Sequence, residues 1–90
     1  MALERGALIE ELKKLIIVEC DKEMEPSEID PEAQLIGGEM DLDSLDALQV
    51  SLAVKERYAV RIEGGPDARK AFASVSALAD FIIAAQAGGA

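Results

Sequence analysis

The chain has 90 residues, half of them apolar, and a formal net charge of −9. This length fits a single domain, 1–90, near the lower end of what buries a self-sufficient core. The charge is uneven, because residues 1–46 carry −10 and residues 47–90 carry +1. So acidic a surface repels a phosphate backbone, and the chain has few aromatic side chains for base stacking, which argues against nucleic-acid binding. A protein partner with a basic face is the natural complement, although such acids can also simply keep a small domain soluble.

The N-terminal segment predicts a helix from about Ala2 to Cys20. Leu8, Leu12, Leu15 and Ile16 recur at helical spacing, with Leu3 and Val18 extending the run. Acidic residues interrupt this segment, so it resembles neither a signal peptide nor a membrane span. The single cysteine, Cys20, allows no internal disulfide, and we interpret it as a small apolar residue near the core. We therefore expect a cytoplasmic protein.

Residues 21–42 predict a long acidic loop, since they are too polar and too many for a routine connection. Within it, Asp30 and Pro31 are typical of the cap and first position of a short helical turn that reaches Leu35. The apolar side chains of the loop are expected to anchor it on the core; they are Leu35, Ile36, Met40 and Leu42.

The second helix is predicted to begin at Asp43 or Ser44 and to end near Tyr58. It carries two adjacent apolar stripes, which indicate a wide buried face and a position more central than that of the first helix. One stripe consists of Leu45, Leu48 and Leu52, and the other of Ala47, Val50 and Val54.

The rest of the chain predicts two more helices and a flexible tail. Gly64, Gly65 and Pro66 interrupt the pattern, and "PDARKAFA" supports only a short third helix. Ser74 is a candidate N-cap for the fourth helix, and residues 86–90 are expected to be flexible. The inward side of the fourth helix is predicted to hold Val75, Leu78, Ala79 and Ile82, with Phe81 alongside. The predicted fold is thus all-α: a small four-helix bundle with a long loop between helices 1 and 2 and a short third helix.

The stretch "GGEMDLDSLDAL" places one hydroxyl, Ser44, among several carboxylates. A serine nucleophile needs a base, yet the chain has no histidine, and Lys55 lies about three helical turns downstream. The sequence therefore predicts no enzymatic activity for the chain alone. A calcium loop is also disfavoured, because Leu45, Asp46 and Leu52 occupy positions where that motif needs an oxygen ligand, a glycine and a glutamate. Weak divalent binding by the aspartates remains open, as does the choice between Ser44 and Asp43 as helix cap.

Asp43-Ser44-Leu45-Asp46, opening the second of four helices after a long loop, resembles the acyl carrier protein family. "LIEELKKLIIVEC" resembles the first helix of that family, "DSLDALQVSLAVKERYAVRI" its second helix and following turn, and "FASVSALADFI" its third helix and the start of its fourth. The resemblance implies that Ser44 accepts a 4′-phosphopantetheine arm from coenzyme A through a separate phosphopantetheinyl transferase. The thiol of the arm then carries acyl groups as thioesters between enzymes of fatty acid, lipid or polyketide-type biosynthesis.

The resemblance also implies partner enzymes with basic docking surfaces. We expect a monomer, because the sequence predicts no exposed apolar surface that demands association. We expect partners to contact Glu39, Asp41, Asp43, Leu45, Asp46, Gln49, Val50 and Glu56. The glycines displaced to Gly37 and Gly38 and the mixed charges after Asp46 depart from the usual family pattern, which favours a specialised carrier. Two alternatives stay open: a peptidyl carrier protein, and a non-carrier acidic helical domain that binds other proteins.

Overall fold

The computed structural model describes residues 4–38 and 42–88. Its four α-helices are α1 (Arg5–Glu19), α2 (Ser44–Tyr58), α3 (Pro66–Ala71) and α4 (Val75–Gly88). The long connection between α1 and α2 contains one short 3₁₀ turn at Pro26–Glu28. This architecture confirms the predicted all-α bundle, including its long loop and its short third helix.

Helix α1 lies at the centre of the bundle and packs against both α2 and α4. Its predicted apolar face is confirmed, because Leu8, Leu12, Leu15 and Ile16 are all buried. Val18 was expected to extend this face, but it is 73% exposed. At 100° per residue, Val18 points about 120° away from the middle of the buried stripe, so no neighbouring helix covers it.

Helix α2 buries one apolar stripe and not two. Val50, Val54 and Tyr58 are buried against the core, as one of the predicted stripes requires. The prediction that Leu45, Leu48 and Leu52 are buried was wrong, since their exposed fractions are 65%, 53% and 52%. The reason is the position of α2 beside α1, which leaves the opposite side of α2 facing solvent.

The helical turn of the long loop lies earlier than predicted. Asp30 is the first residue of a hydrogen-bonded turn and does not start a helix. Its carbonyl oxygen accepts from the Ala33 amide at 3.0 Å, and its Oδ1 accepts from the Glu32 amide at 2.9 Å. The 3₁₀ turn begins at Pro26, where Glu25 and Glu28 form a capping box.

Apolar side chains anchor the second half of the loop, largely as predicted. Leu35 and Leu42 are almost completely buried, whereas Ile36 is 38% exposed. The Leu42 amide donates to the Leu35 carbonyl at 3.1 Å, and Ile36 pairs with Leu42 in an isolated parallel bridge. Met40, the fourth predicted anchor, lies outside the described residues.

Two glycines shape the turn that follows this anchor. Gly37 adopts a φ of 74°, which is the left-handed region that favours glycine. A Cβ on Gly38 would collide with the backbone oxygen and side chain of Gln34. The displaced glycine pair therefore permits a backbone conformation, directly after Ile36, that residues with a Cβ rarely adopt or have no room for.

The C-terminal half confirms the predicted cap of α4. The Ser74 hydroxyl accepts from the Ala77 amide at 3.0 Å, and the inward side chains of α4 are all fully buried: Val75, Leu78, Ala79 and Ile82. Helix α4 continues through residues 86–88, part of the tail that was expected to be flexible. The Gln86 side chain donates to the Tyr58 carbonyl at 2.9 Å, which ties α4 to the end of α2.

Within the described ranges, every helix is too short or too polar to cross a membrane.

Candidate functional site

Ser44 is the first residue of α2, and its side chain is exposed to solvent. Among the described residues, none forms a hydrogen bond with its hydroxyl. The buried Leu42 fixes the chain two residues earlier, so the start of α2 is held in place against the core. The result is an accessible hydroxyl at a fixed position.

Asp43, and not Ser44, caps α2. An Asp43 carboxylate oxygen accepts from the Asp46 amide at 2.9 Å, and Asp46 Oδ2 accepts in return from the Asp43 amide at 3.3 Å. This reciprocal pair is a capping box, which satisfies two backbone donors that a helix start otherwise leaves free. The choice that the sequence left open is thereby resolved, and α2 begins without using the Ser44 hydroxyl.

The electrostatics around Ser44 combine opposing contributions. The N-terminus of a helix carries a partial positive charge, which favours a nearby anion. Asp43 and Asp46 lie in the same turn and place two carboxylates there, already satisfied in part by backbone amides. These aspartates thus stabilise the helix start and also keep the surface around Ser44 acidic. The other two acids predicted near this site, Glu39 and Asp41, lie outside the described residues.

The outer side of α2 forms an exposed apolar ridge directly after Ser44. We call Leu45, Leu48 and Leu52 the leucine ridge; they follow one another at i, i+3 and i+7 on one side of the helix. Gln49 and Glu56, both predicted partner contacts, are exposed on the same helix. Neighbouring apolar side chains exposed together are typical of interaction surfaces.

Sequence reasoning named one ridge residue, Leu45, as a partner contact, although it also assigned Leu45 to a buried stripe. A signal in the sequence could have identified the others, because the stripe of Leu48 and Leu52 continues into Lys55 one turn later. The buried stripe instead continues from Val50 through Val54 to Tyr58 without a charge.

Val50 was expected to contact partners, and the structure contradicts this expectation. Its side chain is 0% exposed and belongs to the core. It lies on the α1-facing side of α2, where no partner can reach it without unfolding the helix pair.

Cys20 ends α1 and lies close enough to the start of α2 to be affected by its charges. Partial burial raises the pKa of the Cys20 thiol to about 11, and the nearby Asp46 carboxylate adds to the rise. The thiol is therefore protonated near neutral pH and is a poor nucleophile. These properties agree with the interpretation of Cys20 as a small apolar residue near the core.

No cluster of three or more Cys, Asp or Glu side chains suited to holding a metal ion is found within residues 4–38 and 42–88. No protein-family model matches the chain, and no curated protein matches its sequence.

Proposed function

We propose that this protein is an acyl carrier protein, with a 4′-phosphopantetheine arm attached to Ser44. The observation that carries the proposal is the exposed Ser44 hydroxyl at the start of α2, combined with a helix cap that Asp43 provides instead. A serine whose only task is to cap a helix uses its side-chain oxygen for a backbone amide. Among the described residues Ser44 has no such task, because it is the first residue of α2 and Asp43 before it is the cap.

Attachment requires a separate enzyme, because this chain supplies no base to activate the hydroxyl. Lys55 lies about three turns away along α2, and the chain contains no histidine. In the proposed reaction, Ser44 Oγ attacks the phosphorus of coenzyme A that bears the pantetheine. The new phosphodiester forms as the bond to 3′,5′-ADP breaks, and a base of the transferase accepts the hydroxyl proton. Ser44 contributes only its exposure and its fixed position.

The leucine ridge beside Ser44 supports docking by partner enzymes. An apolar ridge with acidic neighbours fits a partner surface that offers an apolar groove with a basic rim. The described acidic residues of α2 and its cap are Asp43, Asp46 and Glu56. Such a partner could pass acyl groups to and from the thiol at the end of the arm in fatty acid, lipid or polyketide-type biosynthesis.

The proposal is tested by incubating the chain with coenzyme A, Mg²⁺ and a broad-specificity phosphopantetheinyl transferase, followed by intact mass measurement. Wild-type protein and Ser51→Ala should each gain one phosphopantetheinyl group, whereas Ser44→Ala should gain none. Ser51 is the matched control, since it lies on the same helix and is half-buried. An unmodified wild-type chain would reject the carrier and favour the non-carrier interaction domain. Transfer of an aminoacyl group, and not an acyl group, by cognate enzymes would select the peptidyl carrier.

A further inference from the structure

An open trough lies between α1 and α2, and Val18 forms part of its wall. Its volume is about 480 Å³, and its lining includes the buried Leu15 and the half-buried Ala53. Val18 is 73% exposed, more than any leucine of the ridge. Neither the core nor the leucine ridge accounts for this exposed apolar side chain, so the trough is a second surface that can bind a partner.

The two helices that form the trough run in opposite directions. The Tyr58 hydroxyl at the end of α2 donates to the Glu11 carboxylate in the first half of α1 at 2.9 Å. At the other end, Cys20 follows α1 and lies close enough to Asp46, in the first turn of α2, to be affected by its charge. One end of the trough therefore lies towards the C-terminus of α2, and the other end lies towards the C-terminus of α1.

The end of the trough towards the C-terminus of α2 is basic. Lys14 from α1 and Arg57 from α2 line it, and the last turn of α2 holds a further base, Lys55. Glu56 is the acid among these side chains, so the three bases and one acid sum to +2. Within residues 4–38 and 42–88, the Lys14 side chain forms neither a hydrogen bond nor an ion pair. An acidic group of a partner is therefore the complement of this end.

The end of the trough towards the C-terminus of α1 is acidic. Glu19, the last residue of α1, lines it, and Asp21 follows two residues later. The C-terminus of a helix carries a partial negative charge, which basic side chains usually offset, yet the last turn of α1 contains no base. The nearest base along the chain, Lys22, lies beyond the helix and forms no ion pair among the described residues. A cation supplied by a partner would therefore stabilise this end.

We propose that the trough binds an amphipathic helix of a partner protein, which lies parallel to α1 and antiparallel to α2. An apolar side chain of that helix contacts Val18 and Ala53. An acidic residue in its N-terminal part faces Lys14 and Arg57, and a basic residue in its C-terminal part faces Glu19. This is the order of charges that helices ordinarily carry, since acids are favoured near N-termini and bases near C-termini.

The trough is separate from the surface that the carrier function uses. Lys14, Val18 and Glu19 belong to α1, and neither Ser44 nor a leucine of the ridge lines the trough. Binding of the partner helix therefore needs no modification of Ser44. The inference goes beyond the proposed carrier function and does not rest on it.

The test compares two fluorescein-labelled peptides of identical composition, each held helical by a lactam bridge on the side away from the trough. The first peptide carries a glutamate one turn before a central leucine and a lysine one turn after it, in an alanine background. The second peptide exchanges the glutamate and the lysine. Binding of each to the unmodified chain is measured by fluorescence anisotropy at low ionic strength, where exposed charges are screened least. The first peptide should bind about 5-fold or more tightly, because the exchange replaces two attractive charge contacts by two repulsive ones.

Variants of the chain test which side chains bind the peptide. Lys14→Glu combined with Glu19→Lys exchanges the two exposed charges of α1 and should reduce the preference between the peptides to less than about 2-fold. Val18→Ser should weaken binding of the first peptide about 5-fold or more, because the apolar contact is lost. Leu48→Ala is the matched control, since it truncates an exposed apolar side chain outside the trough, and it should bind both peptides as the wild type does. Each protein is tested with both peptides, so a change in its stability does not alter the preference.

Four results would overturn the inference. These are equal affinity of the two peptides for the wild-type chain, no binding of either peptide at about 1 mM, a full preference retained in the double variant, and a loss in Leu48→Ala equal to that in Val18→Ser. Sedimentation equilibrium of the chain alone tests the other possible occupant. A dimer that Val18→Ser abolishes would assign the trough to a second copy of the chain and overturn the partner helix. Failure of the transferase to modify Ser44 would overturn the carrier function and leave these binding results unchanged.

Discussion

The two sides of α2 should respond very differently to truncation, and this contrast tests the described orientation of the helix. Val50 is 0% exposed, whereas Leu48 on the leucine ridge is 53% exposed. Val50→Ala removes about two buried carbon groups at about 0.8 kcal/mol each and leaves a cavity, for a total loss of about 2–3 kcal/mol. Leu48→Ala removes a larger side chain, but less than half of it is buried and solvent fills the space. Its cost should stay below about 1 kcal/mol.

Thermal and denaturant unfolding, followed by far-UV circular dichroism, measure both effects. For a domain of this size each kcal/mol shifts Tm by about 4–8 °C, so Val50→Ala should lower Tm by about 10–20 °C. Leu48→Ala should lower it by less than about 8 °C. Equal losses in the two variants would mean that the ridge is part of the core, and the described orientation of α2 would be wrong.

The same ridge variant should slow modification by the transferase. If the leucine ridge contacts the enzyme, Leu48→Ala should lower kcat/KM for phosphopantetheine transfer by about 5-fold or more, as for an interface residue worth at least about 1 kcal/mol. Val18→Ala is the control, because Val18 is an exposed apolar residue on α1 and lies outside the ridge. Unchanged kinetics in Leu48→Ala, or an equal loss in Val18→Ala, would remove the ridge from the docking surface.

Three further outcomes are expected. Asp43→Ala should lose about 1 kcal/mol of stability because the helix cap is lost, whereas Asp43→Asn should keep most of that stability. Both variants should still be modified at Ser44. Equal stability of the two variants would contradict the capping role. The pKa of Cys20 is raised from 9.0 to about 11 in the folded protein. Its thiol should therefore react with a disulfide reagent at pH 8 about 100-fold more slowly in the folded protein than in denaturant. Similar rates in the two states would contradict the raised pKa. Burial and the hydrogen bond to Glu11 raise the pKa of Tyr58 from 10.0 to about 12, so the unfolded chain loses this proton first and stability should fall as pH rises from 10 to 12. Tyr58→Phe should lack this part of the decline in pH-dependent melts, and an identical decline would refute the assignment.

The sequence predicted those features that local chemistry determines. The spacing of Leu8, Leu12, Leu15 and Ile16 identified the buried side of α1, and Ser74 identified the start of α4. Such signals succeed because a helical period and a capping side chain act over a single helix, whatever packs against it.

Features that depend on how one helix or loop packs against another could not be predicted from such local signals. Leu48 and Val50 are both apolar, and the position of α1 decides which of them is buried, with the charge of Lys55 as the one local signal noted above. The loop posed a similar problem, since Glu25-Pro26 and Asp30-Pro31 both match the start of a helical turn. Only Glu25-Pro26 starts a 3₁₀ turn. Asp30-Pro31 starts one isolated hydrogen-bonded turn, and the Pro31 carbonyl accepts from the Ser76 amide on α4 at 3.0 Å.

The sequence predicted where the candidate site lies, but it predicted only some of the roles of the residues in that site. The sequence identified Ser44 and its aspartates, assigned Asp43 and Asp46 to partner contacts, and left open whether Ser44 or Asp43 caps the helix. The capping box shows that both also stabilise the start of α2. Experiments that neutralise them to probe partner binding should therefore use Asp43→Asn, which preserves a cap, and should compare variants of equal stability.

Fragment-ion mass spectrometry of the transferase-treated chain tests the central claim most directly. The account predicts that the added phosphopantetheine maps to Ser44 on one fragment series, with Ser51 and the serines of the loop and of α4 unmodified. A phosphopantetheine located on any other residue, or a chain that remains unmodified while a known carrier in the same tube is fully converted, would contradict it.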